Sequence, residues 1–359
     1  MSTLFSPTTL GSLTLQNALV MCPLTRNRAK ENLANELMLE YYQQRASFGL
    51  IITEGSSPSP NGLGYPRIPG IFTKEQTLSW QPLTAAVHQG GAKLFMQLMH
   101  CGRIAHPNNL PLGARVVAPS AVAAAGEIYT DDEGLKPHPI PHAMSLDELS
   151  STQAEYVAAA KNAISAGFDG VEIHAANGYL LEQFIRPNSN QRTDRYGGEI
   201  ENRARFLLEI VELTIAAIGR ERVGVRLSPY GVFNDMPLYD AMADDYTYLA
   251  QRLNQLSPIY IHLVDHTAMG APEVPETMPQ MFRAEFNGTL ILSGGYDAAS
   301  AEADLSAGKC DLIGVGRPAL ANPDLVKRWQ IGAELNEPDP NTFYTPKAQG
   351  YLDYPTLPA

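Results

Sequence analysis

The chain has 359 residues, 44% of them hydrophobic and 18% charged, with a formal net charge of −12. That acidity, with no Lys/Arg cluster set against it, argues against nucleic acid or an anionic membrane surface as partner and leaves a small molecule as the expected one. No run approaches the ~18 apolar residues of a membrane span, no cation or apolar leader core precedes Arg26, and Cys22, Cys101 and Cys310 form no CxxC pair, so a cytoplasmic, reducing location is expected.

The opening stretch LFSPTTLGSLTLQN alternates about Gly11 and predicts a short hairpin. Apolar or β-branched runs at 18–24, 50–55, 93–99, 169–174, 223–228, 259–264, 289–293 and 312–315 predict eight strands. Helical patterns at 36–47, 74–89, 146–166, 200–218, 241–256, 279–285, 298–307 and 318–331 follow them in alternation. Ser145 with Glu148 three residues on is a capping box, and Asp297 is an N-cap signal. Continuous apolar strands, each followed by a helix, imply a parallel sheet covered on its outside, and eight such units imply an α/β fold of the (β/α)8 TIM barrel type, a single domain over 1–359. The hairpin then plugs the barrel floor. Residues 101–143, rich in Pro and Ala, form an insertion after the third strand and a candidate lid or pocket wall.

A doubly wound open sheet is the alternative, and it requires a dinucleotide fingerprint near the first strand. Gly314-Val-Gly316-Arg-Pro-Ala319 matches GxGxxA but lies in the last unit, with no later strand and no acidic residue to bind a ribose.

Barrel enzymes build their sites at the C-terminal ends of the strands. These ends carry Pro23 and Thr25, Gly55, Gln97 and Met99, then His174 with Asn177 and Tyr179, Arg226, Gly294 and Gly295, and finally Gly316 and Arg317. Glycines at a strand-to-helix turn expose N–H groups that bind phosphate, and a guanidinium fork matches phosphate geometry. They could equally do no more than turn tight corners. Arg226 lies inside an apolar strand, where a charge needs a partner. It either pairs with a buried acid such as Glu172 or faces a ligand that develops negative charge, and periodicity does not choose.

His174 alone reads as a satisfied core histidine. With Asn177 and Tyr179 beside it, two N–H donors can converge on one oxygen while a phenol delivers a proton nearby, an oxygen clamp with a general acid. There is no HExxH, no clustered acid and thiol partners and no nucleophile elbow, so no metal is expected, and the phosphate cradle is expected to hold a cofactor that supplies the hard chemistry.

At these residues the chain resembles the old yellow enzymes, a family of FMN-dependent ene-reductases. The resemblance runs from FSPTTLGSLTLQN through PLTR, FMQL, GVEIHAANGYLLEQF, RTDRYGG, ENRARF, VRLSP, SGG and GVGRPALANPDL to GYLDYP. It implies that Thr25 contacts the flavin O4 region, that Gln97 and Arg226 hold the pyrimidine side, and that Pro23 and Gly55 approach with backbone atoms. Gly294, Gly295, Gly316 and Arg317 are implied to bind the FMN phosphate. His174 and Asn177 would bind the carbonyl oxygen of an α,β-unsaturated substrate, Tyr179 would protonate its α-carbon, and Tyr65, Met99 and Tyr344 would line its pocket. NADPH, or NADH, is the implied reductant, and the chain is expected to be a monomer or homodimer.

The chain departs from that pattern where many relatives carry Trp and it has Met99, which is expected to widen the pocket. Thr-Pro-Lys-Ala-Gln after Tyr344 replaces a glycine run and predicts a stiffer loop. Position 25 is Thr, so Cys22 is not a flavin-tuning cysteine. A colourless lyase or isomerase acting on a sugar phosphate, and a flavin-binding sensor, are the alternatives in other functional classes.

Overall fold

Each of the eight apolar runs becomes a strand in the structure, a computed structural model that describes residues 3–358. β1 (Leu19–Met21), β2 (Leu50–Ile52), β3 (Lys93–Leu98), β4 (Gly170–Ala175), β5 (Val223–Leu227), β6 (Tyr260–Val264), β7 (Thr289–Ser293) and β8 (Leu312–Val315) close into a barrel. Every neighbouring pair is parallel, and β8 returns to β1. β1 ends earlier than predicted. The Cys22 N–H still reaches the Val315 carbonyl, but Pro23 has no N–H with which to continue the ladder.

The covering helices are α1 (Glu36–Gln43), α2 (Lys74–Gln89), α3 (Leu146–Ser165), α4 (Arg205–Ile218), α5 (Met242–Leu256), α6 (Thr277–Glu285), α7 (Ala298–Ser306) and α8 (Leu325–Ile331). The Ser145–Glu148 capping box forms, and Asp297 caps α7 through Ser300. The pattern predicted over 318–331 divides into Arg317–Ala321 and α8, because Pro323 interrupts the backbone ladder between them. No helix among the described residues is long and apolar enough to cross a membrane.

Inside the barrel, side-chain size alternates from strand to strand. A Cβ at Gly224 would lie 2.1 Å from the Tyr260 ring, and one at Gly170 would lie 2.5 Å from the Phe95 ring. The two glycines are thus the space that lets two aromatic rings fill the floor of the core. At the N-terminal ends of the strands, Thr8–Leu10 pairs with Leu13–Leu15 as an antiparallel hairpin whose Leu10 and Leu15 are fully buried.

The insertion has structure that its composition concealed. Glu127–Thr130 and Gly134–Pro137 form a second hairpin, and Val117–Ala118 pairs with His142–Ala143. Ile128 and Thr130 face inward while Glu127 and Tyr129 are exposed, a period of two too short to stand out between prolines.

Candidate active site

A cavity of about 980 Å³ opens above the C-terminal ends of the strands. Pro23, Thr25, Tyr65, Gln97, Met99, His174, Asn177, Tyr179, Arg226, Gly294, Gly295, Gly316, Arg317 and Tyr344 all line it. The insertion contributes Ile104, Ile128, Tyr129, Asp131 and His138 to its wall.

Gly55 is the one strand-end residue of that set outside the lining. It does not line the cavity, because the space into which a side chain at 55 would project is filled by the Met99 thioether, whose sulfur lies 2.5 Å from that position. Met99 therefore packs down over β2, 1% exposed, and contributes one face of its side chain to the wall.

His174 closes β4 with 2% of its surface exposed. Burial first, and then the Arg226 charge, holds its imidazole well below the ordinary 6.5, so the ring is neutral at physiological pH. Its Nδ1 has no hydrogen-bond partner among the described residues, and neither does Asn177 Oδ1. Asn177 adopts a left-handed backbone, φ 59°, which turns its side chain back over the strand end. That conformation is held by neighbours. The Asn177 N–H donates to Ser228 Oγ at 2.9 Å, and Asn234 Nδ2 donates to the Asn177 carbonyl at 2.7 Å.

Behind this turn lies a residue that reading the strand ends did not reach. Glu182, fully enclosed on the helix Leu180–Ile185, accepts from the Gly178 N–H at 2.7 Å, Ser228 Oγ at 3.0 Å and Arg186 Nη2 at 2.8 Å. An acid inside the apolar stretch LLEQFI, four residues before an arginine, was its sequence signal. Asn234 and Phe233 also line the cavity, from the loop after β5, where no strand end or motif marks them in the sequence.

Tyr179 is 9% exposed and stands edge-on to His174, with ring centroids 5.1 Å apart. Burial, reinforced by Tyr65, pushes its phenol well above the usual tyrosine range, so it holds its proton at neutral pH.

Arg226, on β5, lines the cavity beside Glu172. Glu172 does not pair with it: its two oxygens are taken by Gln97 Nε2 at 2.8 Å and His262 Nδ1 at 2.9 Å. Arg226 Nε has no hydrogen-bond partner among the described residues, although the side chain is only 6% exposed. Burial opposes the charge on Glu172, but His262 and then Arg226 and Gln97 outweigh it and hold the carboxyl below its ordinary value. Gln97 gives one of its two N–H groups to Glu172, so its carbonyl oxygen and the second N–H remain available to a ligand.

Opposite lies the glycine pair. Gly294 has φ 145° and Gly295 φ 68°, and a Cβ at Gly294 would meet the Asp265 carbonyl oxygen at 2.5 Å. Only glycine fits there, and both residues are exposed to the cavity with Arg317 at its rim.

A buried cation without an anion, a glycine cradle and two unsatisfied polar side chains fit the needs of flavin mononucleotide, which brings a phosphate, polar ring edges and room above the ring for a second ligand. The volume lies at the upper end of the roughly 300–1,000 Å³ usual for ligand pockets. The fold and site define a barrel oxidoreductase of the flavin-dependent class. The chain belongs to the NADH:flavin oxidoreductase / NADH oxidase family, which matches residues 3–336, and within it to the old yellow enzymes.

It is 42% identical to a probable flavin mononucleotide-dependent alkene reductase of Leishmania infantum, covering 99% of this chain and 97% of that one. Rice (Oryza sativa subsp. japonica) 12-oxophytodienoate reductase 1 is 40% identical over 99% of this chain and 93% of its own. Among solved structures, morphinone reductase superposes with a TM-score of 0.95 at 42% identity, covering 99% of this chain and 96% of that one. The old yellow enzyme homologue of Zymomonas mobilis gives 0.94 at 40%, covering 99% and 100%.

Proposed function

We propose that this chain binds FMN and reduces the C=C bond of α,β-unsaturated carbonyl or nitro compounds, with NAD(P)H as reductant in a ping-pong sequence. The observation that carries the reading is the convergence of His174, Asn177 and Tyr179 on the same cavity as the glycine cradle and the unpaired Arg226. Bound FMN would supply the hydride chemistry, taking a hydride from the nicotinamide and giving one to the alkene.

The chain's own residues do the rest. Gly294, Gly295, Gly316 and Arg317 would hold the phosphate, Gln97 and Arg226 the pyrimidine side, Thr25 the O4 region, and Pro23 and Gly55 would approach with backbone atoms. Neutral His174 and Asn177 donate to the substrate oxygen, drawing electron density from the β-carbon so that it accepts the hydride. Tyr179 delivers the matching proton to the α-carbon, which balances the addition of two hydrogens across the bond. Tyr65, Met99 and Tyr344 shape the pocket. Support comes from the alkene reductase and 12-oxophytodienoate reductase relatives, and from morphinone reductase, solved in complex with tetrahydroNAD.

The test is an absorption spectrum of the purified protein, alone and with a phenol. A flavin spectrum that gains a long-wavelength band on addition of phenol is expected. A colourless protein that FMN does not reconstitute contradicts the reading and leaves a sugar-phosphate lyase or isomerase.

A further inference from the structure

Arg226 is unpaired although Glu172, a buried carboxylate, stands on the neighbouring strand of the same barrel interior. β4 and β5 are in register with His174 opposite Arg226, and β5 and β6 with Arg226 opposite His262. Glu172 reaches past β5, which presents the side-chain-free Gly224 opposite it, to bond His262 on β6. His262 is fully enclosed, does not line the cavity, and is braced on its far side by Ser293 Oγ at 2.9 Å. Ser293 Oγ in turn reaches the Leu263 carbonyl at 3.1 Å.

We propose that His262 is a positioning residue: together with Gln97 it holds Glu172 away from Arg226, leaving the guanidinium free for the negative charge that a reduced flavin carries. This rests on the reading of Arg226 as a flavin contact. A buried carboxylate that loses a partner turns to the nearest cation, since leaving it uncompensated costs several kcal/mol. Without His262, Glu172 closes on Arg226 and neutralises it. The flavin then becomes harder to reduce and is held less tightly.

The experiment measures the FMN midpoint potential and FMN dissociation constant of the holoprotein and of the variants that follow. His262→Ala is expected to lower the potential and weaken FMN about tenfold or more, the scale of one lost charge-assisted contact. His262→Gln, which can still donate to Glu172, stays near wild type. Adding Glu172→Gln to His262→Ala returns the potential towards wild type, because a neutral amide cannot neutralise Arg226. A purely structural role predicts two defects that add.

An unchanged potential in His262→Ala, or a double variant as low as the single one, overturns the proposal. Should His262→Ala not fold, His262→Leu, nearer in volume and equally unable to donate to Glu172, takes its place: a lowered potential supports the proposal and an unchanged one overturns it. Arg226→Ala separates the two levels. If it moves neither quantity, the flavin reading of Arg226 fails; if it moves both while His262→Ala moves neither, only the positioning role fails.

Discussion

The Tyr179 hydroxyl donates to the Tyr65 hydroxyl at 3.1 Å, with the two rings edge to face and their centroids 6.2 Å apart. Burial raises both phenols above the usual tyrosine range, so both are protonated at neutral pH. Tyr65 comes from the loop after β2 and Tyr179 from the turn after β4. The hydrogen bond orients a proton donor from one loop with an acceptor from another, and leaves a second proton behind the first.

Tyr179→Phe removes that donor while leaving ring packing intact. Reoxidation of the reduced protein by an enone is expected to slow about 10²–10⁴-fold, the usual range for a lost general acid. Reduction by NAD(P)H needs no such proton and should be unaffected. Stopped-flow absorbance resolves the two half-reactions.

His174→Ala and Asn177→Ala each remove one donor to the substrate oxygen. Each should weaken a phenol or enone about tenfold, as one buried hydrogen bond to an oxygen bearing partial charge does. Because His174 is neutral well below 6.5, binding to the native protein should show no inflection near pH 6.5. Titration of the phenol-induced band from pH 5.5 to 8 checks both points.

Acid should destabilise the fold early. Burial drives the imidazoles of His100 to about 3 and His266 to about 4, and that of His174 well below its ordinary value. Each refuses a proton that the unfolded chain accepts below about 6.5. Each therefore costs about 1.4 kcal/mol per pH unit as pH falls from there towards its folded value. Glu54, raised by burial to about 7, binds a proton more tightly when folded, and so offsets one histidine between pH 7 and 4.5. The melting temperature should fall from pH 7 to 5, and His100→Asn should flatten that slope. A melting temperature that holds steady or rises on acidification contradicts this.

Gly294→Ala should cost the cradle its shape. A φ of 145° and a 2.5 Å approach to the Asp265 carbonyl leave no room for a methyl group. Strain of about 1–3 kcal/mol is the usual penalty for such a backbone, so FMN affinity should fall roughly tenfold or more. Isothermal titration of the apoprotein with FMN measures it.

The barrel was legible because its strands read as apolar runs and its helices carry caps such as Ser145 and Asp297. His174, Asn177 and Tyr179 were legible because a barrel places its chemistry where a strand ends, and β4 ends there. The partner of Arg226 was not legible. Whether Glu172 bonds Arg226 or His262 depends on side chains crossing between strands, and neither periodicity nor spacing encodes that choice. The packing of Met99 against Gly55 was not legible either, because it joins residues at the ends of two adjacent strands. The hairpin within 101–143 was hidden by two strands too short to show a period among prolines.

The most direct test of the account is a single turnover without oxygen. The purified protein is reduced with one equivalent of NADH or NADPH and mixed with 2-cyclohexenone while the flavin absorbance is followed. The account predicts bleaching by the nicotinamide and then recovery of the oxidised spectrum, with cyclohexanone formed in equal amount. A flavin that stays reduced in the presence of the enone contradicts it.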